Sequence, residues 1–89
     1  MMMMTITQRI YGEVDRLILE AVRDKGGTLK LARLVGIVSK FTASSYVYAR
    51  ISSLERRSLV MRYGRDPAMV EITEEGLRAL RRAEEEDGK

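Results

Sequence analysis

The sequence contains no cysteine and no histidine. Their joint absence excludes disulfides, thiolate chemistry and the commonest zinc ligands. It also excludes Ser-His-Asp and Cys-His nucleophile pairs. A metal would need carboxylates alone, and no acidic residues stand at ligand-like spacing. No catalytic residue, metal site or cofactor is therefore expected. Lack of cysteine also fits a reducing cytoplasm. No apolar run approaches the roughly 20 residues that span a bilayer. The four leading methionines, Met1 to Met4, lack a basic flank and a following apolar stretch, so no signal peptide is expected. Proline occurs once, at Pro67.

What remains is a chain of 89 residues, 45% hydrophobic and 33% charged. This composition predicts one globular domain over residues 1–89. A domain of this size buries a modest share of its surface, so association with a second copy would stabilise it. The net charge is +3, and its distribution is informative. Lys30 to Arg65 holds eight basic residues and one acid, Glu55, for a local charge of +7. The rest of the chain is at −4. A basic centre between more acidic ends predicts a surface that faces a polyanion.

Apolar spacing predicts the order of elements. Ile6, Ile10, Val14, Leu17, Ile18, Ala21 and Val22 recur at helical spacing and predict a first helix from Thr5 to Lys25. Thr5 with Gln8 forms a capping-box pattern, and Gly26 and Gly27 end the helix. Thr28 and Leu29 make a short strand or bridge. Leu31, Leu34, Val35 and Val38 mark a second helix that tolerates Gly36 at some cost. Ser39, Lys40 and Phe41 form a turn, with Phe41 as its apolar anchor.

Thr42 is the expected N-cap of a third helix that runs to Arg57. Its buried stripe is Val47, Ile51 and Leu54. Strands at Leu59 to Tyr63 and Met69 to Thr73 flank a turn from Gly64 to Ala68, giving a β-hairpin. Thr73 caps a last helix with an apolar stripe of Leu77, Leu80 and Ala83. Glu74 and Glu75 in its first turn suit the helix dipole and explain themselves without catalysis. Glu84 to Lys89 is expected to fray. The fold class is mainly α with a small β-hairpin, in the order α-β-α-α-β-β-α.

The segment Leu54-Glu55-Arg56-Arg57-Ser58-Leu59-Val60 resembles the Leu-Glu-x-x-Gly-Leu-Val pattern of MarR-like and PadR-like winged helix-turn-helix regulators. There it joins the recognition helix to the first wing strand. Gly64-Arg65-Asp66-Pro67 resembles the wing tip. Val70-Glu71-Ile72-Thr73-Glu74-Glu75-Gly76 resembles the return strand and the start of the next helix. The chain departs from the pattern twice. The stretch from Gly36 to Val47 is longer than the family's compact turn. Ser58 replaces a glycine, so it either adopts a left-handed conformation, at about 1 kcal/mol, or ends the helix differently.

The resemblance implies a sequence-specific binder of double-stranded DNA, a transcriptional regulator and not an enzyme, that inserts the helix at 42–57 into the major groove. The wing at 62–68 would lie on the flanking backbone. Thr42, Ser44 and Ser45 have short hydroxyl side chains that permit close approach. Tyr48 is the groove candidate, and Tyr46 is either a flank contact or core. Lys40, Arg50, Arg62 and Arg65 are expected on phosphates. Arg56 and Arg57 read as solvated helix-end charges. A homodimer through the first and last helices is expected, using Ile6, Ile10 and Val14 with Leu77 and Leu80. Two other readings stay open: a nonspecific architectural or replication-associated nucleic-acid binder, and a winged-helix module for protein–protein contact.

Overall fold

The computed structural model describes residues 12–87. Its elements are α1 (Glu13–Asp24), β1 (Thr28–Lys30), α2 (Leu31–Val38), α3 (Ser44–Arg56), β2 (Val60–Tyr63), β3 (Met69–Ile72) and α4 (Glu74–Asp87). The order matches the one read from apolar spacing. The expected cap at Thr5 and Gln8, with Ile6 and Ile10, lies outside the described residues. Within them α1 starts at Glu13, with extended Gly12 at its N-cap.

The core is one cluster drawn from every element. Ile18, Leu19 and Val22 of α1 meet Leu34, Val35 and Val38 of α2 and Val47, Ile51 and Leu54 of α3. Leu29, Val60, Val70 and Ile72 close it from the sheet, and Ala79 and Leu80 from α4. Leu17 was expected in the α1 stripe, but Leu19 takes that place. At 3.6 residues per turn, Leu17 falls on the side of α1 opposite Leu19 and Val22.

The sheet is antiparallel with strand order β1-β3-β2. Leu29 stands opposite Val70, and Val70 opposite Arg62. Side chains alternate along a strand, so Val60 and Arg62 share the inner face of β2 while Met61 and Tyr63 share the outer one. The wing arginine at 62 therefore points toward the helices.

The ends of the helices explain the joints. The Gly26 amide donates to Arg23 O at 3.0 Å and the Gly27 amide to Val22 O at 2.9 Å. This is a Schellman close of α1, with Gly26 left-handed at φ +93°. The same motif ends α3. The Ser58 amide donates to Glu55 O at 3.0 Å and the Leu59 amide to Leu54 O at 3.0 Å. Ser58 sits at φ +64°, so it takes the left-handed alternative.

The Thr73 hydroxyl then joins two helices. It donates to Ser58 O at 2.6 Å and accepts from the Gly76 amide at 3.0 Å. Thr73 thus caps α4 and holds the end of α3 against it. Gly76 is required there, because a Cβ would lie 2.2 Å from Leu59 O.

Expectations for the connection before α3 and for the tail are corrected. Thr42 is not the N-cap of α3; that position is Ala43, with no side-chain bond. Phe41 is 68% exposed and anchors nothing in the core. The Gly36–Val47 stretch resolves into the end of α2, a connection at 39–43 and the start of α3. Residues from Glu84 on do not fray at once, since α4 continues to Asp87. Three acids of its last turn have partners: Glu84 bonds Arg23 at 2.6 Å, Asp87 bonds Arg16, and Glu86 lies 3.4 Å from Arg82.

Candidate nucleic-acid interface

The buried stripe of α3 fixes which face is left outside. Val47, Ile51 and Leu54 are fully buried. On the opposite side Ser45, Ala49, Ser52 and Arg56 fall at i, i+4, i+7 and i+11, forming one ridge. Ser45, Ala49 and Arg56 are exposed and Ser52 is half-buried. Ser44 is exposed in the first turn. Tyr48, 45% exposed, flanks the ridge on the side of Ser52 and Glu55. The ridge is narrow and small-chained, so a rod-like polymer could approach the backbone of α3 closely.

Tyr46 flanks the other side and is 49% exposed, which decides against a core role. With Gly12, Glu13, Val14, Asp15 and Arg50 it lines a surface hollow of about 400 Å³. This side of α3 faces α1.

Arg50 was expected on phosphate. Its Nε donates to Asp15 Oδ1 at 2.7 Å and its Nη2 to Asp15 Oδ2 at 2.8 Å. Asp15 is 2% exposed, the one buried charged side chain among the described residues. The bonds that Arg50 donates to Asp15 raise its pKa above the ordinary value, against the desolvation that opposes it. Arg50 thus holds α3 onto α1. Arg57 was expected in solvent, but its side chain is 14% exposed and its Nη1 lies 3.7 Å from Asp15 Oδ2. One carboxylate therefore receives two arginines from a single face of α3.

Asp15 was missed by sequence reasoning, although a signal existed. It lies seven residues before Val22 and in line with Ile18 and Leu19. An acid in register with a buried stripe needs a partner.

The wing is coupled to α3 in a comparable way. Arg62 Nε donates to Glu55 Oε1 at 2.9 Å, and Nη2 reaches Ser52 Oγ at 3.5 Å. Both partners of the Arg62–Glu55 pair are about one-third exposed, so water and salt screen it.

The remaining cations of the basic segment are different. Lys30, Arg33, Lys40, Arg56 and Arg65 are all exposed, and among the described residues none has an ion pair. No acidic residue occurs between Asp24 and Glu55. Outside this segment Arg16 is partnered by Glu20 and Asp87, Arg23 by Asp24 and Glu84, and Arg82 by Glu86, while exposed Arg78 and Arg81 share α4 with six glutamate and aspartate residues. Positive charge with no acid near it in sequence is therefore concentrated on β1, α2 and the 39–43 connection, and unpaired cations continue at the end of α3 and in the wing. Arg56 joins this group, where sequence reasoning had set it aside. Lys40 and Thr42 precede α3 in the connection, and Arg65 stands in the exposed 64–68 turn.

Among the described residues no group of acids is placed to hold a metal ion, and no helix is long and apolar enough to cross a membrane.

No protein-family model and no curated protein matches the sequence. Solved structures do match. F93 from STIV, a winged-helix DNA-binding protein, aligns with a TM-score of 0.72 and 21% identity, over 84% of this chain and 88% of its own. A "putative transcriptional regulator protein" from Pseudomonas aeruginosa PA01 aligns with a TM-score of 0.64 and 29% identity, over 81% of this chain. The match spans 52% of that longer protein. Among the described residues the chain has three antiparallel strands, four helices and a wing between β2 and β3, and its alignment with the winged-helix protein covers most of both chains. This chain has the winged-helix fold.

Proposed function

We propose that this chain is a sequence-specific double-stranded DNA-binding protein and a transcriptional regulator of the MarR-like or PadR-like kind, acting in the cytoplasm as one domain. The ridge of α3 enters the major groove, with Ser44, Ser45 and Tyr48 toward base edges and Tyr46 at the flank. Lys40, Thr42, Arg56 and the wing residue Arg65 meet phosphates. Arg62 reaches the backbone from its place beside Glu55. One observation carries this reading: the exposed, hydroxyl-bearing ridge of α3 ends on Arg56, and Lys40 before the helix and Arg65 in the wing are likewise exposed cations without an ion pair. The neighbours of this fold, a DNA-binding protein from STIV and a transcriptional regulator protein from Pseudomonas aeruginosa, support it.

A duplex neutralised by Lys40, Arg56, Arg62 and Arg65 releases counterions in proportion. Four such contacts give a log K against log salt slope of about −3.6, roughly a 100-fold loss of affinity from 50 to 200 mM salt. Fluorescence anisotropy on labelled duplexes measures it. Arg65→Ala is expected to flatten the slope by about 1. Absence of binding at 50 mM salt, or a slope near zero, overturns the reading. Selection from a random duplex library separates its finer part: an enriched motif supports sequence-specific regulation, and no enrichment assigns nonspecific architectural binding.

We further infer a homodimer through the first and last helices, since regulators that read half-sites pair about one helical turn apart. Leu80 does not contribute, because it is fully buried in the core of a single chain. Leu77 also packs partly on that core. Val14, half-buried, and the sequence stripe of Ile6 and Ile10 are the remaining apolar candidates. Sedimentation equilibrium tests this, and a monomer alone at high micromolar concentration removes it.

A further inference from the structure

We propose that Phe41 is a base-reading residue that lays its ring against a thymine C5-methyl at the edge of the major groove. The proposal rests on the DNA-binding reading above and extends it to a side chain outside α3.

The exposed large hydrophobic side chains are Phe41, Tyr46, Tyr48, Met61 and Tyr63. They lie on α3, its lead-in and β2; among the described residues, α1, α2 and α4 expose none. Phe41 is the most exposed of them at 68%. Its backbone is nevertheless held, because its amide donates to Val38 O at 2.9 Å and the Ser39 amide to Val35 O at 2.9 Å. A fixed turn therefore displays an apolar ring that the core does not use.

Its place defines what the ring can meet. Phe41 stands three residues before Ser44, at the leading end of α3, and recognition helices present that end to base edges. Exposed Lys40 precedes it, and no acid lies between Asp24 and Glu55 to repel a phosphate. A purely apolar ring offers no bond to phosphate or to polar base edges. On a duplex, the apolar feature of the major groove is the thymine methyl, which phenylalanine contacts by packing.

The test uses the full-length protein and the best duplex from random selection. Each thymine is replaced in turn by uracil, which lacks only the methyl group. One replacement is expected to weaken wild-type binding about 4-fold, the worth of a buried methyl group. Phe41→Ala is expected to weaken binding about 10-fold on the thymine duplex, to be indifferent to that one uracil, and to keep the salt slope. Phe41→Leu, which retains an apolar contact, is expected to keep the uracil response. Wild-type indifference to uracil at every position overturns the proposal, and that measurement needs no variant to fold. Wild-type affinity in Phe41→Ala overturns it as well. A change in self-association with DNA affinity intact overturns it by assigning the ring to a second copy. Failure of the wild type to bind any duplex overturns the DNA reading itself, which is a separable result.

Discussion

Removing the Asp15 carboxylate is the sharpest probe of how α3 is held. In Asp15→Ala the Arg50 guanidinium loses two short charge-assisted bonds, at 2.7 and 2.8 Å. Arg57 loses its near anion as well. Breaking a fully buried ion pair by deleting one partner costs about 3–5 kcal/mol, chiefly because the other charge is left buried. Here the arginine side chains retain 23% and 14% exposure, so part of each guanidinium can be rehydrated. The expected loss is about 2–3 kcal/mol. For a domain of this size that is about 10–20 °C in melting temperature. Circular dichroism at 222 nm and urea unfolding at one fixed protein concentration measure it. Asp15→Asn keeps one acceptor without the charge and should lie between the variant and the wild type. Replacing Asp15, Arg50 and Arg57 together by apolar residues of similar volume should recover most of the loss. A cost below about 0.5 kcal/mol for Asp15→Ala would mean that the pair is as weak as a surface salt bridge, and would refute the account of α3 anchoring.

Other substitutions test single joints. Ser58→Gly should raise stability by about 0.5–1 kcal/mol, because glycine adopts φ +64° without the steric cost that serine bears; unchanged or lower stability in urea melts would contradict it. Gly76→Ala should destabilise by at least about 2 kcal/mol, since its Cβ would lie 2.2 Å from Leu59 O and 2.8 Å from Ile72 Cγ1; a melt like the wild type's would show the joint to be loose. Gly36→Ala has the opposite sign, because nothing lies within 4 Å of its would-be Cβ and the site is inside α2. It should gain up to about 1 kcal/mol, and a loss on thermal unfolding would argue against helix at that position.

Local chemistry made much of this fold readable, while long-range pairing was hidden. Val47, Ile51 and Leu54 were legible because spacings of four and three admit one helix face, and the core occupies it. Thr73 was legible as a cap, since a hydroxyl before two glutamates satisfies a free amide. Arg50 was misread because its partner is 35 residues away on another helix. The helical tail was misread for the same reason: Glu84 and Asp87 find Arg23 and Arg16 only after α1 and α4 meet. Arg62 illustrates a pattern present but unused. The alternation Val60-Met61-Arg62-Tyr63 already places Val60 and Arg62 on one face, so an arginine beside the core was implied. Phe41 was misread because an apolar residue in a turn was equated with an anchor, a rule that runs in one direction only.

The Thr73 hydroxyl has a consequence for motion. It bonds the carbonyl that ends α3 and the amide that begins α4, while the Thr73 amide donates to Leu59 O at 3.1 Å. The wing strands run between these same points, so the hairpin is a loop whose two feet are tied together. Local opening of the wing tip can proceed without α3, but separating its base must release α3 and α4 in the same event. Native-state hydrogen exchange should therefore find the amides of Leu59, Thr73 and Gly76 exchanging as one cooperative unit, with a shared opening free energy distinct from that of the Gly64–Ala68 tip.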